Sequence, residues 1–404
     1  MGNNHLTGNI PTDIGKLTNP LRSLYGLKQA PRAWYEAFYR ALLSLGFSAS
    51  SSDTSLFIKK DITITFILVY VDDIIITGSS SQVCQTIISQ LQAIFPVKDL
   101  GDIHYFLGIE VTRSPHGLFL HQSKYALDLL KKTDMLGVKP CSTPVSSSKL
   151  DHSGTPLADP TSYRSIVGAL QYLTWTRPDL AFAVNQVCQH MQTPRTIHLQ
   201  AVKRILRYLK GTIDSGLRFT KGAQFLTAWS DADWAGCPVD RRSTSGYCVF
   251  LGPNLVAWSA KKQNTVTRSS TEAEYRSLAN TAAEISWVCK ILFDLSFPLL
   301  RTPVIFCDNK SAIALAFNPV FHARTKHVEL DYHFIREKVL LGQIDVQHVN
   351  TLSQIADIFT KSLHADRFLS LTAKLSVRPS TFSLRGCVRS TVGSQSYQRC
   401  TAPD

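Results

Sequence analysis

The stretch Phe66–Gly78 reads FILVYVDDIIITG and places two adjacent aspartates, Asp72 and Asp73, between two apolar runs. Both runs are rich in β-branched residues, which favour strands. The pattern predicts two buried strands joined by a tight turn, with two carboxylates presented at one edge of a sheet. An acidic hairpin turn would explain the pair without any function. Rigid apolar flanks would also suit a metal site, because such surroundings strengthen the electric field at a metal ion.

Length and composition bound the remaining possibilities. A chain of 404 residues, 44% of them hydrophobic, predicts two or three domains with ample cores and excludes a wholly disordered protein. The 43 Lys and Arg against 30 acids give a formal charge of +13, which favours a polyanionic partner. The nine cysteines lack a C-x-x-C pair, which argues against a disulfide framework or a cysteine-paired zinc site.

Targeting signals are the next consideration. The apolar run Ile62–Val71 is about half as long as a membrane span requires, and the N-terminus has no apolar signal core. We therefore expect an intracellular protein, cytoplasmic or nuclear, that is neither secreted nor anchored by a transmembrane segment.

The two ends of the chain differ from the rest. Residues 1–20 carry the pattern N-x-L-T-G-x-I-P and resemble one leucine-rich repeat of the plant receptor type. A single repeat cannot bury its own apolar face, so we expect this segment to be disordered. Residues 379–404 are rich in Ser, Arg and Thr and are also expected to be disordered.

The first half predicts alternating helices and strands. A helix with Pro31 near its start is followed by three strands, a helix over Ser80–Phe95 and a second hairpin within residues 102–122. Residues 140–160 form a Ser/Pro-rich linker, and a helical stretch is expected from Tyr163 to Lys210.

The second half predicts a mixed sheet with helices on its faces. Three antiparallel strands precede a long helix and then a β, α, α, β, α succession. The expected strands are Phe225–Asp231, Gly246–Leu251, Leu255–Ser259, 303–308 and Ile344–Val349, and the expected helices are Thr271–Leu295, one starting at Asn309, Leu330–Leu341 and a last one from Gln354.

Several long motifs carry a family resemblance. SLYGLKQAPRAWY, LVYVDDIIITG, VKDLGDIHYFLGIEV and HLQAVKRILRYLKGT occur in an order that resembles the Pol polyprotein of copia-type LTR retrotransposons. The resemblance implies that Asp72 and Asp73 are palm carboxylates of a reverse transcriptase. It also implies that Gly26 and Pro31 shape a nucleotide pocket and that residues 106–108 form the primer grip.

One departure from the family bears on activity. The family's first catalytic aspartate lies on a strand before the LYGLKQAP helix, together with the fingers. Here the only acid before Pro31 is Asp13, within the repeat-like segment. We therefore expect that this chain alone does not synthesise DNA.

The second half resembles ribonuclease H through WSDADWAGCPVDRRSTSGYCVFLG, SSTEAEYRSLA, FCDNKSAI and QIADIFTK. The resemblance implies a two-metal site for Mg²⁺, with Mn²⁺ as a substitute, that hydrolyses the RNA strand of RNA/DNA hybrids. Asp231 and Asp308 end strands and Asp357 is expected to open the last helix, so their carboxylates can converge with one from the long helix.

Two glutamates compete for the helical position. Ser269 and Glu272 have the spacing of a capping box, which gives Glu272 a structural task. Glu274 shares its helix face with Leu278 and Ile285, the stripe expected to pack on the sheet, so we predict Glu274 as the ligand.

Other polar residues near these motifs receive weaker expectations. Asp233 is expected to be a turn acid or an acid that lies just outside the metal ligands, and Asp240 is expected to be a loop acid. Cellular ribonucleases H carry a mobile histidine before the last aspartate. His348 lies within a strand pattern, so we expect a core histidine there, although its role stays open.

Basic residues suggest where nucleic acid would lie. A solvated helix face is the alternative, but in a basic chain with two nucleic-acid motifs we favour phosphate contacts. The candidates are Lys203, Arg207 and Lys210 on one helix and Arg324, Lys326 and His327 on a later segment.

Together these observations predict an α/β (α+β) chain whose partners are an RNA/DNA hybrid and a single-stranded RNA or DNA template. Its function would be that of a truncated retrotransposon reverse transcriptase and ribonuclease H with only the second activity retained. The alternative is a non-catalytic relic that binds nucleic acid, or the product of a wrongly assembled transposon pseudogene. The sequence leaves the oligomeric state open. The predicted domains are 21–139 (partial palm and thumb), 140–222 (linker and helical connection) and 223–378 (ribonuclease H-like).

Overall fold

The computed structural model describes residues 30–70, 73–115, 117–318 and 329–380. Within these ranges the chain forms three β-sheets surrounded by α-helices, which confirms the predicted mixed class. The repeat-like segment 1–20 and nearly all of the predicted tail lie outside the described residues.

A four-stranded sheet with two helices forms the first unit. Its sheet order is β1-β2-β3-β4 and all neighbours are antiparallel. Its elements are α1 (Ala30–Ser44), β1 (Ser48–Ala49), β2 (Leu56–Lys60), β3 (Ile64–Tyr70), β4 (Asp73–Gly78) and α2 (Ser81–Ile94). The β3–β4 hairpin confirms the two strands predicted around the paired aspartates.

This first unit has its own small core. Phe38 and Leu42 of α1 pack with Ile67 of β3 and with Ile87 and Leu91 of α2, and all five are buried. The alternating burial along β3 reflects the period of two expected for a sheet with one covered face.

A second sheet joins segments that are distant in sequence. It runs in the order β14-β8-β7-β6-β5. Its strands are β5 (Tyr105–Phe106), β6 (Ile109–Ser114), β7 (Gly117–His121), β8 (Ser215–Phe219) and β14 (Val377–Pro379). The β6–β7 pair is the second predicted hairpin. Because β8 and β14 complete it, this sheet draws strands from three of the predicted domains.

Four helices fill the middle of the chain: α3 (Ser123–Lys132), α4 (Pro160–Leu173), α5 (Ala181–Cys188) and α6 (Thr196–Gly211). The helical stretch expected from Tyr163 to Lys210 is therefore three helices. The breaks fall at Pro178 and Pro194, because proline lacks the amide hydrogen that a continuing helix needs.

The third sheet has the order β11-β10-β9-β12-β13, with β9, β10 and β11 antiparallel and β9, β12 and β13 parallel. This is the mixed sheet that the sequence predicts. Its strands and helices are β9 (Leu226–Ala232), β10 (Thr244–Leu251), β11 (Asn254–Lys262), α7 (Ser270–Asp294), β12 (Val304–Cys307), α8 (Lys310–Phe317), α9 (Glu329–Leu340), β13 (Asp345–His348) and α10 (Ala365–Lys374).

Helices cover both faces of this sheet. Helices α7, α8 and α9 share one core with Val249, Ile305 and Val346, while α4, α5 and α6 share another with Cys248 and Phe250. Burial on both faces fixes the register of the central strands. It thereby fixes where the last residues of these strands lie at the edge of the sheet. In the described parts of the chain, no helix combines the length and apolarity that crossing a bilayer demands.

Candidate active site

The parallel strands β9 and β12 end at the same edge of the sheet, and each brings an aspartate there. Asp231 is the penultimate residue of β9 and is fully buried. Asp308 directly follows β12 and is half-buried. Strand direction therefore brings together two carboxylates that lie 77 positions apart in the sequence.

Helix α7, which packs on one face of the sheet, supplies the third carboxylate. Glu274 is only 7% exposed, and its neighbours at helical spacing, Leu278 and Ile285, are buried against the sheet as predicted. Glu272 points elsewhere: its backbone N–H donates to Ser269 Oγ at 3.1 Å and its carboxylate accepts from Arg268 N at 2.8 Å. The choice of Glu274 over Glu272 agrees with this geometry.

The fourth predicted carboxylate arrives differently from expected. Asp357 does not open the last helix, since it lies in a short 3₁₀ segment, Ala356–Phe359, and α10 begins at Ala365. The sequence interpretation took the apolar spacing for a continuous helix. The chain is held instead by contacts to β9 and β10, and Asp357 remains nearly buried beside Asp231.

Two features allow this segment to lie against the sheet. The Gln354 side chain is fully buried and donates from Nε2 to Ser230 O at 2.9 Å. Gly246 pairs with Asp231 across the β9–β10 ladder, and a Cβ there would lie 2.6 Å from Phe359 Cβ and 2.7 Å from Thr360 Cγ2. Glycine is therefore required for the close approach of backbone to strand.

A lysine lies between the first and fourth carboxylates. Lys361 Nζ is 2.6 Å from Asp357 Oδ1 and 3.1 Å from Asp231 Oδ1. Thr360 Oγ1 donates to Asp231 Oδ2, and Arg367 Nη2 lies 3.3 Å from Asp357 Oδ2. Asp231 and Asp357 are thus held rigidly, with positive charge already beside them.

Burial dominates the electrostatics of the site. Desolvation raises the pKa of Glu274 to about 10, and the neighbouring charges of Asp231 and Asp308 add to that rise. Desolvation also raises the pKa of Asp231, although the Lys361 ammonium opposes it. Carboxyls crowded in a poorly solvated place resist ionisation unless a cation is supplied.

The ends of β12 and β13 add two further side chains. Cys307 is fully buried next to Asp308, and its backbone is paired in register with His348. Asp308 Oδ2 accepts a hydrogen bond from Thr351 Oγ1 at 3.0 Å. His348 is exposed, so the expectation of a core histidine is wrong: the residue ends its strand at the sheet edge and leaves the core to Val346.

Asp233 and Asp240 have the loop roles predicted for them. Asp233 Oδ1 accepts from Thr244 N, and burial raises the pKa of Asp233 to about 6. Asp240 Oδ2 lies 2.8 Å from Lys262 Nζ, which places it in an ion pair at the far side of the loop.

The donor set fits a divalent cation. Glu274 Oε2 is buried without a hydrogen-bond partner among the described residues, and such an oxygen is costly unless something binds it. Carboxylate oxygens are the ligands that Mg²⁺ and Mn²⁺ prefer. The charges of Asp357 and Asp308 contribute to the raised pKa of Asp231, and those of Asp231 and Asp308 to the raised pKa of Glu274.

Fewer of the predicted site residues can be located around the β3–β4 hairpin, the predicted palm hairpin. Asp73 opens β4 opposite Tyr70, whereas Asp72, Gly26 and Asp13 lie outside the described residues. The side chain of Pro31, near the start of α1, is likewise outside them. Among the described residues, the only cluster of three or more potential metal ligands contains Glu274, Cys307 and Asp308.

The predicted primer-grip segment is a tight turn. Phe106 pairs with Ile109, so Leu107 and Gly108 form a two-residue hairpin loop in which both have positive φ, 47° and 72°. That conformation is typical of a type I′ turn. Tyr172 of α4 donates its hydroxyl to Leu107 O and thereby holds the turn in place.

The predicted basic helix is α6, and two of its cations have structural partners. Arg207 Nε donates to Lys139 O at 2.8 Å, and Lys210 Nζ donates to Val138 O at 2.6 Å. Lys203 is exposed. Arg324, Lys326 and His327 lie outside the described residues.

Sequence reasoning missed the residues that support the carboxylates. Gln354, Thr360 and Lys361 belong to QIADIFTK, a motif that carried the resemblance but from which only Asp357 was singled out. A glycine inside the strand pattern at Gly246 was a readable signal of close backbone approach. No signal in the sequence identified which carboxylates Lys361 would join.

The sequence is similar to those of several known proteins. The reverse transcriptase (RNA-dependent DNA polymerase) family matches residues 7–147. A Pol polyprotein from transposon RE1 of Arabidopsis thaliana is 52% identical over 360 residues, which cover 88% of this chain. The chain spans about a quarter of the length of that relative, 25%.

Two further similarities extend the comparison. A transposon Ty5-1 protein of Saccharomyces cerevisiae is 33% identical over 270 residues, 65% of this chain and 87% of that protein. A foamy viral protease–reverse transcriptase solved with double-stranded DNA aligns with a TM-score of 0.46 and 12% identity, over 80% of this chain and 49% of that one. On the sequence matches, the chain belongs to the copia-type retrotransposon Pol family.

Proposed function

We propose that the half of the chain built on β9–β13 hydrolyses the RNA strand of RNA/DNA hybrids with the help of divalent cations. The observation that carries this proposal is the convergence of Asp231, Glu274, Asp308 and Asp357 from four separate elements, with a buried Glu274 oxygen that lacks a described partner. Structural ion-pair networks rarely leave such an oxygen unsatisfied.

Each carboxylate has a distinct part in holding cations. Asp231, Asp357 and Glu274 are exposed by only 0%, 5% and 7%, so all three would be positioned before any ligand arrives. Asp308 is half-buried, so its carboxylate can be reached from solvent. When bound, Mg²⁺ or Mn²⁺ would activate water for attack on the phosphodiester and stabilise the leaving oxygen.

Proton transfer needs a group at the rim of the site. His348 is exposed at the end of β13 and in register with Cys307, one residue before Asp308. An imidazole changes charge near neutral pH and so suits proton donation to a leaving group. We assign it this part, in place of the core position that its strand suggested.

Hybrid recognition would rest on charge and on the ribose hydroxyls. The net charge of +13 supplies the general attraction to phosphates. Exposed Lys203 is the predicted phosphate contact that has no structural hydrogen bond to the chain among the described residues. Contacts to 2′-hydroxyl groups would distinguish the RNA strand from the DNA strand.

DNA synthesis by this chain alone is not part of the proposal. Asp73 is the one palm acid of the family motif that lies within the described residues. A polymerase site needs several carboxylates around two metal ions.

The test is cleavage of a hybrid whose RNA strand is labelled, in Mg²⁺, by the wild-type chain and three variants. Asp231→Asn and Glu274→Gln should each lower the rate by more than about 100-fold, because a cation ligand is lost. Glu272→Gln, two residues from Glu274 on the same helix, should keep the rate within about twofold. Absence of cleavage by the folded wild-type chain would leave the nucleic-acid-binding relic as the better description.

A further inference from the structure

Glu274 and Asp308 of the four-carboxylate site also lie beside a thiol, that of Cys307. One carboxylate oxygen of Glu274, Cys307 Sγ and one carboxylate oxygen of Asp308 all lie within 4.8 Å of one another. A thiol so close to two carboxylates is a poor ligand for Mg²⁺, which prefers oxygen, but a good one for zinc.

The thiol alone would carry no inference, but an independent observation points to a ligand. Glu274 is 7% exposed and its Oε2 has no hydrogen-bond partner among the described residues. The Cys307 thiol has only a weak contact, to Asn309 O at 3.9 Å. Buried Glu274 and buried Cys307 thus each bring a ligand atom to one place, while half-buried Asp308 provides access from solvent.

We propose that Glu274, Cys307 and Asp308 bind a thiophilic divalent cation, Zn²⁺ in particular, as a mixed sulfur–oxygen site. Binding forms a zinc–sulfur bond and releases the thiol proton to water. The carboxylates of Glu274 and Asp308 would coordinate the ion through one oxygen each, and a water would be the fourth ligand of a tetrahedral site.

The site shares Glu274 and Asp308 with the proposed cleavage site, so zinc and the ions for cleavage compete for the same oxygens. Cys307 gives zinc an advantage that Mg²⁺ cannot have. Zinc binding does not depend on hybrid cleavage, and it can be measured on the protein without nucleic acid.

Cobalt and zinc titrations of the full chain, first stripped with a chelator, test the proposal. Co²⁺ alone should produce a thiolate-to-cobalt charge-transfer band that saturates at one equivalent and disappears when Zn²⁺ is added. Cys307→Ala should lose the band and bind Zn²⁺ at least about tenfold more weakly.

The matched control is Cys248→Ala, because Cys248 is equally buried in the same sheet and belongs to no described ligand cluster. This variant should keep both the band and the zinc affinity. Loss of the band in both variants, or its persistence in Cys307→Ala, would overturn the proposal.

A measurement on the unmodified chain covers the case in which a variant does not fold. X-ray absorption at the zinc edge should show one sulfur at about 2.3 Å and oxygens at about 2.0–2.2 Å. A shell of oxygens alone, or one with several sulfurs, would refute the site. Neither result depends on whether the chain cleaves hybrids.

Discussion

Asp73 opens strand β4 of the β3–β4 hairpin and Asp231 lies near the end of β9 in the third sheet, yet the two regions differ in which parts of the chain they bring together. Asp73 lies at a two-strand turn whose acids are adjacent in sequence. Residues from α7, from the end of β12 and from 354–361 all lie close to Asp231. A short motif can place two acids, but a site needs elements from distant parts of the chain.

The difference also appears in how deeply the two regions are buried. Asp231 is fully buried, accepts a hydrogen bond from Thr360 and lies beside Lys361. The residues of β4 are half-buried or exposed along its whole length. Burial therefore distinguishes Asp231 from the described residues of β4.

The largest effect on stability should come from breaking the contact between β10 and the segment that carries Asp357. Gly246→Ala places a methyl group 2.6 Å from Phe359 Cβ, so the segment must shift. We expect a loss of about 1–3 kcal/mol in the free energy of unfolding and at least about a tenfold fall in hybrid cleavage.

Gly168→Ala is the control for that experiment. Gly168 lies inside α4, and a Cβ there meets nothing within 4 Å. Alanine should leave cleavage unchanged and raise stability by about 0.5–1 kcal/mol, because it favours the helix. Equal behaviour of the two variants in urea unfolding would argue against a special role for Gly246.

The next effect concerns the cation between the buried acids. Lys361→Met leaves Asp231 and Asp357 without the ammonium that lies 3.1 Å and 2.6 Å from them. We expect a loss of about 2 kcal/mol without divalent cations, less than for a fully buried pair because 38% of the Lys361 side chain is exposed.

Added Mg²⁺ should restore part of that loss, since a bound cation stabilises the folded state. Lys374→Met, at an exposed position in α10, should change stability by less than about 0.5 kcal/mol. Thermal unfolding with and without Mg²⁺ measures both variants. A Lys361→Met variant as stable as Lys374→Met would show that the ion pairs contribute nothing.

A smaller effect should depend on pH. Burial raises the pKa of Asp233 to about 6, above the value of about 3.9 for an unfolded chain. The folded state therefore holds this proton more tightly, and the stability it confers is lost as pH rises from about 4 through 6. Asp233→Asn should be about 1–2 kcal/mol more stable than wild type at pH 7.5 and similar to it at pH 4, by urea unfolding.

The smallest effect tests the palm. Asp73→Asn should leave hybrid cleavage unchanged, because Asp73 belongs to a different sheet from Asp231. Primer extension on an RNA template should show no incorporation by either protein. Clear nucleotide incorporation by the wild-type chain that Asp73→Asn abolishes would show that the chain synthesises DNA and that Asp73 takes part.

The sequence predicted the strands of the third sheet to within a few residues, because the central strands β9, β10 and β12 are largely buried and their sequences are rich in apolar residues. It predicted Glu274 from helical periodicity, and the buried Leu278 and Ile285 show why that reasoning holds. Local patterns are sufficient wherever a side chain's direction follows from its own element.

The remaining features depend on contacts between distant segments. Asp357 lies in a 3₁₀ turn because Gln354 and Thr360 bind β9, a preference that no local propensity reveals. His348 is exposed because β13 ends at the sheet edge. The second sheet depends on pairing across about a hundred residues, which periodicity cannot predict.

The Lys361 bridge has a consequence for biosynthesis. Asp231, Glu274 and Asp308 leave the ribosome well before residues 354–361, which bring both the last carboxylate and its ammonium. Until then Asp231 lacks the Lys361 ammonium that lies 3.1 Å from it in the complete fold. Formation of this contact would mark the moment at which the nascent domain becomes resistant to proteases, and translation arrested before residue 354 should give a chain that stays sensitive.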